Sequence, residues 1–280
     1  MTSRPSGTRA ADRGDNGQAT KGGQAMGTLT ISENGVEMHT FLGGRVCVRQ
    51  AADGYRAGMD AALLAAACDV GPGERVLEAG CGVGAVMLQA AFRRPHASFV
   101  GVEADPAALA MATENIRLNG MEDRLQAMAG DVGSPFARLG LAPFDAVLAN
   151  PPFFDDAGAI RGPAPEKRAA WIASDGLGAW LAFLTKAVRE GGSITLVHRA
   201  DRLSDILYDL QPKAGSFQVR PIHPFADAPA KRVLVRAIKT GRAPLRLLPP
   251  LVLHDRDSTA RHTPEAEAVL RGEADLPWPR

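Results

Sequence analysis

Residues 75–93, RVLEAGCGVGAVMLQAAFR, constrain the fold more than any other stretch of the chain. The short apolar run 75–79 reads as a strand, the glycines after it turn the backbone sharply, and 85–93 reads as a helix that stops before Pro95. The same alternation continues downstream. Residues 98–103 (SFVGVE) form a second strand, Asp105 is placed to cap a helix with Pro106 at its first position, and Asn119-Gly120 ends that helix after Leu118. Strands follow at 125–129 and 144–149, then a helix over 177–188 capped by Asp175, a turn at Gly191-Gly192, a fifth strand at 193–197 and a helix over 201–210. Residues 217–221 and 232–238 have little helix between them and are expected to pair as an antiparallel hairpin. Repeated βα units predict an α/β fold, a parallel sheet with helices on both faces.

Outside this core, 28–50 reads as a β-hairpin turning at Leu42-Gly43-Gly44, and 59–68 as an alanine-rich helix. Residues 243–253, apolar and punctuated by proline, are expected to run along the surface as an extended arm, with a short capped helix at 263–271. The division expected is a disordered tail over 1–27, a main domain over 28–240, and an extension over 241–280 packed on the core. The tail lacks the apolar run of a secretory signal, and Met26 is a second candidate start.

Composition excludes some classes. Lys and Arg number 32 against 31 Asp and Glu, a formal charge of +1, which rules out a strongly basic nucleic-acid coat but leaves room for a local basic patch. No stretch approaches the ~18 consecutive apolar residues of a membrane span. Cys47, Cys68 and Cys81 are too few and too widely spaced for a disulfide framework or a metal site. A cytoplasmic protein, with neither membrane nor metal as a partner, is the expectation.

The loop Glu78-Ala79-Gly80-Cys81-Gly82-Val83-Gly84 lies between a strand and a helix, where glycines let a ligand approach the backbone and the helix presents free N–H groups. Gly80, Gly82 and Ala85 fit a dinucleotide fingerprint; Glu78, Gly80, Gly82 and Gly84 fit the acidic loop that binds S-adenosylmethionine. A plain tight turn is the third reading. Glu103, 21 residues past Gly82, is placed to bind a ribose diol, which both ligands carry. Glu78 discriminates between them, since a carboxylate there repels a pyrophosphate and suits an ammonium and a sulfonium. Asp131, after the third strand, is a candidate acceptor for an adenine amino group, though Gly-Asp also makes ordinary turns.

Asn150-Pro151-Pro152-Phe153 closes the fourth strand of the βα pattern. Two prolines stiffen the loop and leave carbonyls as its backbone polar groups, Asn150 adds a side-chain acceptor, and Phe153 a flat ring. These suit a planar amino group. Acceptors at Asn150 Oδ1 and the Pro151 carbonyl favour a pyramidal nitrogen with its lone pair aimed at a methyl carbon, and the ring stacks a base. A surface turn is the bland alternative.

With these motifs the chain resembles the Rossmann-like class I amino-group methyltransferases, and within them the bacterial tRNA(Val) adenine-N6 methyltransferases. The resemblance runs from about Phe41 to Arg271 and includes Gln50, Tyr55-Arg56-Ala57-Gly58-Met59-Asp60, the Pro250-to-His254 stretch and Thr263-Pro264-Glu265. It implies a seven-stranded, mostly parallel sheet with an antiparallel C-terminal hairpin. It implies S-adenosylmethionine as cofactor, held by Arg56, Asp60, Glu78, Gly80, Cys81, Gly82, Gly84, Glu103, Ala104, Asp131 and Asn150. Asn150, Pro151, Pro152 and Phe153 would carry catalysis. The 56–60 stretch would close over the methionine end of the cofactor, with Met59 where many family members have threonine. The implied partner is tRNA, at its anticodon loop, met by a monomer. Arg161, Lys167, Arg168 and the pair Lys231-Arg232 are candidate phosphate contacts, although short charge runs are more often solvated surface. Three other readings compete. A glutamine-amide methyltransferase acting on a release factor would carry an N-terminal helical bundle in place of a hairpin. A nicotinamide-dependent dehydrogenase leaves Glu78 and Asn150-Pro151-Pro152-Phe153 unexplained. A non-catalytic RNA-binding scaffold would need decayed motifs.

Overall fold

The computed structural model describes residues 27–33, 35–52, 58–153 and 176–279. The expectations placed on the tail before Gly27, on Tyr55, Arg56 and Ala57, on Arg161, Lys167 and Arg168, and on Asp175 as a helix cap lie outside the described residues. Three antiparallel strands open the chain: β1 (Gly27–Glu33), β2 (Val36–Phe41) and β3 (Val46–Ala51). The 3-10 turn Leu42–Gly44 joins the last two as expected. The first strand is an addition to the expected hairpin, and it takes Gly27 out of the tail.

The βα core then runs α1 (Met59–Ala66), β4 (Arg75–Ala79), α2 (Ala85–Arg93), β5 (Ser98–Glu103), α3 (Pro106–Leu118), β6 (Leu125–Ala129), β7 (Phe144–Ala149), α4 (Gly176–Ala187), β8 (Val188–Arg199), α5 (Leu203–Leu210), β9 (Ala214–His223) and β10 (Arg232–Lys239). The short β11 (Arg246–Leu247), β12 (Leu251–Val252) and α6 (Pro264–Leu270) complete it. The main sheet orders as β11-β9-β10-β8-β7-β4-β5-β6, with β12 also on β9, nine strands in all. Seven of these are the expected long strands. The two added ones are two-residue pieces of the C-terminal arm, paired parallel to β9. Strands β6 to β8 are parallel, and β10 runs antiparallel to both β8 and β9.

Two details depart from the sequence expectation. Gly191 and Gly192 lie inside β8, at the irregularity where its pairing with β7 skips from Val188 to Ser193. A Cβ on Gly192 would stand 2.6 Å from the Asp145 carbonyl, so glycine is required where the strands crowd. The helix expected at 201 starts as a 3-10 turn, Ala200–Arg202, and becomes α-helical at Leu203.

The sheet divides the core by the period-2 alternation of its strands. Val76, Ala146, Leu148, Val197 and Leu234 face α1, α2, α3 and α6, whereas Leu77, Val147, Ala149, Leu196 and Val235 face α4 and α5. The C-terminal tail fastens to α1: Leu276 N–H donates to the Ala66 carbonyl (3.0 Å) and Trp278 Nε1 to that of Ala67 (2.7 Å).

The N-terminal sheet is held to the core by two asparagines one turn apart on α3. Asn119 exchanges hydrogen bonds with the Cys47 backbone (2.9 and 2.7 Å), and Asn115 with that of Arg49 (2.8 and 2.9 Å). Each side-chain amide stands in for a neighbouring strand along β3. Asn115 Nδ2 also donates to Val83 O (3.0 Å) in the glycine loop, so one fully buried side chain joins that loop to β3. Asn115→Ala would leave three partly buried backbone groups without their partner and is expected to cost about 1–3 kcal/mol, the cost of an unmet polar group. A urea midpoint within error of the native protein's would contradict this.

Candidate active site

The chain leaves β4 for β5 on one side of the sheet and later returns to the other side of β4 with β7. That reversal opens a crevice at the carboxyl ends of β4 and β7, where open α/β sheets bind ligands. Glu78 to Gly84 follow β4 into it, Glu103 ends β5, Asp131 follows β6, and Asn150-Pro151-Pro152-Phe153 follows β7.

The glycine loop owes its shape to three left-handed residues, Gly80 (φ 61°), Gly82 (φ 54°) and Gly84 (φ 85°). Their surroundings differ. A Cβ on Gly80 would stand 2.2 Å from Trp180 Cη2, because the indole fills the space beneath the loop. A Cβ on Gly82 would meet nothing within 4 Å. Gly80 is thus glycine for packing, and Gly82 leaves its backbone open to a ligand. The Cys81 side chain is buried and turned toward Gly101, and its N–H and carbonyl already bond Val102 and Gly84.

Two carboxylates brace the loop. Glu103 Oε2 accepts from Gly82 N–H (2.8 Å), and its Oε1 from the N–H groups of Ala104 and Asp105 (2.9 Å each). An ionised carboxylate offers about four acceptor sites. A ribose diol at Glu103 therefore exchanges with some of these amides. Glu78 is buried, and its Oε2 accepts from Met87 N–H (2.8 Å) in the first turn of α2. Desolvation pushes its carboxyl well above the ordinary carboxylate range; the Met87 bond opposes that and the Glu103 charge adds to it. A cation sharing the site favours the ionised form. Asp131 is exposed, with Oδ1 accepting from Gly133 N–H (2.8 Å) in a turn at the same edge of the sheet.

Around Asn150-Pro151-Pro152-Phe153 the structure adds His198, which sequence reading missed, and turns Arg232, expected beside Lys231 as a phosphate contact, onto Phe153. Asn150 Oδ1 is shielded from solvent and Pro151 is buried. The Arg232 guanidinium lies 4.4 Å over the Phe153 ring, and its Nε donates to Asp60 Oδ2 (3.1 Å). Asp60, read from sequence as a cofactor residue, is thus turned to Arg232. The buried His198 ring meets Phe153 edge-on, centroids 5.2 Å apart. Burial, aided by the Arg202 charge, pushes the His198 pKa down to about 4, so the ring is neutral. Lys231, the described member of the substrate set, is exposed beside Arg232. Trp180 comes to the site by helix packing and His198 and Arg232 by sheet order, and neither leaves a spacing signal in the sequence.

Residues 56–162 match the methyltransferase small domain. A protein from Actinobacillus succinogenes, named tRNA1(Val) (adenine(37)-N6)-methyltransferase, is 32% identical over 148 residues, 52% of this chain and 62% of that protein. One of the same name from Haemophilus influenzae is 30% identical over 151 residues, 54% of this chain and 64% of that one. Residues 56–162 are thus similar to a methyltransferase domain, and the fold is that of the class I methyltransferases. Among solved structures, Atu636 of Agrobacterium tumefaciens, described as a predicted O-methyltransferase, superposes on this methyltransferase domain and its flanks with a TM-score of 0.65. It is 26% identical and covers 78% of this chain and 98% of its own. The matched segments span less than two thirds of the two curated relatives' length.

The cofactor of this methyltransferase domain is S-adenosylmethionine, and the residues present fit it. Gly82 leaves open backbone, Glu103 offers a carboxylate at the loop, and Glu78 sits where a cation would relieve its burial. Among the described residues, no group of three or more His, Cys, Asp or Glu is arranged to hold a metal. No described helix is long and apolar enough to cross a membrane.

The Glu78 carboxyl binds its proton more tightly in the folded chain than in the unfolded one. Stability therefore falls as pH rises from the unfolded value of 4.5 through the higher folded value, and stays reduced above it. Glu78→Gln keeps an acceptor for Met87 N–H. It is expected to raise the Tm of the free protein at neutral pH while weakening cofactor binding. A variant that melts below the native protein at neutral pH would contradict this.

Proposed function

We propose that this chain transfers the methyl group of S-adenosylmethionine to the exocyclic N6 of an adenosine in tRNA, in the anticodon loop, acting as a cytoplasmic monomer. The observation that carries this reading is the position of Asn150-Pro151-Pro152-Phe153: it ends β7, across the crevice from Gly82 and Glu103. Support comes from the names of the two curated relatives.

The chemistry follows from the residues. A purine amino nitrogen is a weak nucleophile because its lone pair is delocalised into the ring. Asn150 Oδ1 and the Pro151 carbonyl accept its two N–H bonds and favour a pyramidal nitrogen, freeing the lone pair for an in-line attack. Phe153 holds the base by stacking, and Arg232 and His198 fix the ring from a face and an edge. When bound, the cofactor supplies an electrophilic methyl on a sulfonium. Positioning and preorganised dipoles account for catalysis, and the methylated nitrogen loses its proton to water afterwards. Glu78, Gly82, Glu103 and Ala104 hold the cofactor side. Arg56 with Asp60 and Asp131 are proposed at its two ends, and Arg161, Lys167, Arg168 and Lys231 on the RNA backbone.

Incubation with labelled S-adenosylmethionine and separate tRNA, DNA and protein pools, followed by nucleoside analysis, tests the reading. N6-methyladenosine in tRNA is the expected product. Label on a protein glutamine would replace this reading with the amide methyltransferase. Asn150→Ala is expected to leave cofactor affinity near normal and to lower turnover by ~10²–10³, as losing one preorganised polar group does. Unchanged turnover would refute the two-acceptor mechanism.

A further inference from the structure

Beyond Phe153, the same edge of the sheet carries a second aromatic array that the methyl-transfer chemistry does not use. The loop after β9 and the segment between β12 and α6 meet there. Four flat groups stand in sequence. The Arg256 guanidinium lies 4.0 Å over the Phe225 ring, Phe225 meets His254 at 5.5 Å between centroids, and His254 stacks on His262 at 5.4 Å and 25°. Both loops are braced from within. His223 Nδ1 donates to the Ala228 carbonyl (2.7 Å) and His254 Nδ1 to that of Arg261 (2.6 Å), which assigns the ring proton to Nδ1 in each case. At the buried end, His262 Nδ1 pairs with Glu267 (3.1 Å). At the open end, the Arg256 side chain is 57% exposed, with its plane oriented by Asp227 at 3.1 and 3.2 Å.

An isolated arginine over an aromatic ring is an ordinary surface contact worth about 0.5–1 kcal/mol. Its setting distinguishes this one. The array ends in an exposed guanidinium, and planar guanidinium faces stack unpaired bases. Lys231 and Arg261, on the same two loops, are exposed with no ion-pair or hydrogen-bond partner for their side chains among the described residues. Asp255 and Asp257 flank Arg256 and disfavour a phosphate directly on it. A neutral base face suits Arg256, and phosphates suit Lys231 and Arg261. Lys231 also adjoins Arg232, which pairs with Ile222 near the end of β9 and lies over Phe153, so the array and Phe153 share one edge of the sheet.

We infer that Arg256, backed by Phe225 and His254, is a stacking platform for an unpaired nucleotide of the RNA substrate outside the reacting base. This rests on the RNA reading of the active site. The full chain, loaded with S-adenosylhomocysteine, is titrated against a labelled RNA hairpin with an unpaired adenosine in its loop. Arg256→Ala is expected to weaken binding roughly five- to a hundredfold, the range of one lost base stack, and Arg256→Lys to fail to restore it. Cofactor affinity and thermal stability stay near native in both. Native-like affinity of Arg256→Ala, or full rescue by Arg256→Lys, overturns the platform while leaving the RNA reading intact. A native protein that neither binds nor methylates the hairpin overturns both.

Discussion

The site depends on a backbone turn that L side chains rarely adopt. Gly80, Gly82 and Gly84 all have positive φ, and they bring the chain from β4 into α2 within a few residues. Glycine adopts such a turn without strain but loses more freedom than other residues on being ordered, and the surrounding structure holds it from three sides. Trp180 fills the space under Gly80, Glu103 takes the Gly82 amide, and Asn115 takes the Val83 carbonyl. Each brace comes from a different element: α4, the end of β5, and α3. The loop is set by the assembled core, and through Asn115 it also responds to the seating of the N-terminal sheet.

The substrate side is built on the same plan. Phe153 stands after two prolines, which stiffen the backbone but do not orient a ring. Orientation comes from Arg232 over its face and His198 at its edge, and Arg232 is itself tied to Asp60 at the start of α1. The tail residues Leu276 and Trp278 hold the other end of α1. A path of contacts thus leads from the C-terminus to the aromatic platform. The connection of the C-terminal segment to Phe153 through α1 emerges only in three dimensions.

How much was legible in the sequence follows from how local each signal is. Strands 75–79, 98–103, 125–129 and 144–149 and the helices at 85–93 and 106–118 fall where glycine, proline and asparagine punctuate apolar runs. Carboxylates and Asn150-Pro151-Pro152-Phe153 at strand ends could be placed because the βα order puts every such end at one edge. The first strand of the N-terminal sheet was missed although Asn34-Gly35, a strong hairpin dipeptide, announces its turn. Gly191-Gly192 was read as a turn because a bulge uses the same residues. Trp180 and His198, and the contact of Arg232 with Phe153, leave no local signal because they are distant in sequence and meet only in the assembled fold.

The central claim is that methyl transfer here is governed by position, with Asn150 and the Pro151 carbonyl as fixed acceptors and no titrating base. His198, the imidazole against Phe153, is neutral above about 4 and buried. The single-turnover rate with saturating cofactor and RNA, measured against pH, tests this directly. The account predicts a rate that is flat from roughly pH 6 to 9, because no side chain takes up or gives up a proton in the chemical step. A bell-shaped profile, or an inflection near neutrality that disappears in His198→Gln, would show a general base at work and contradict it.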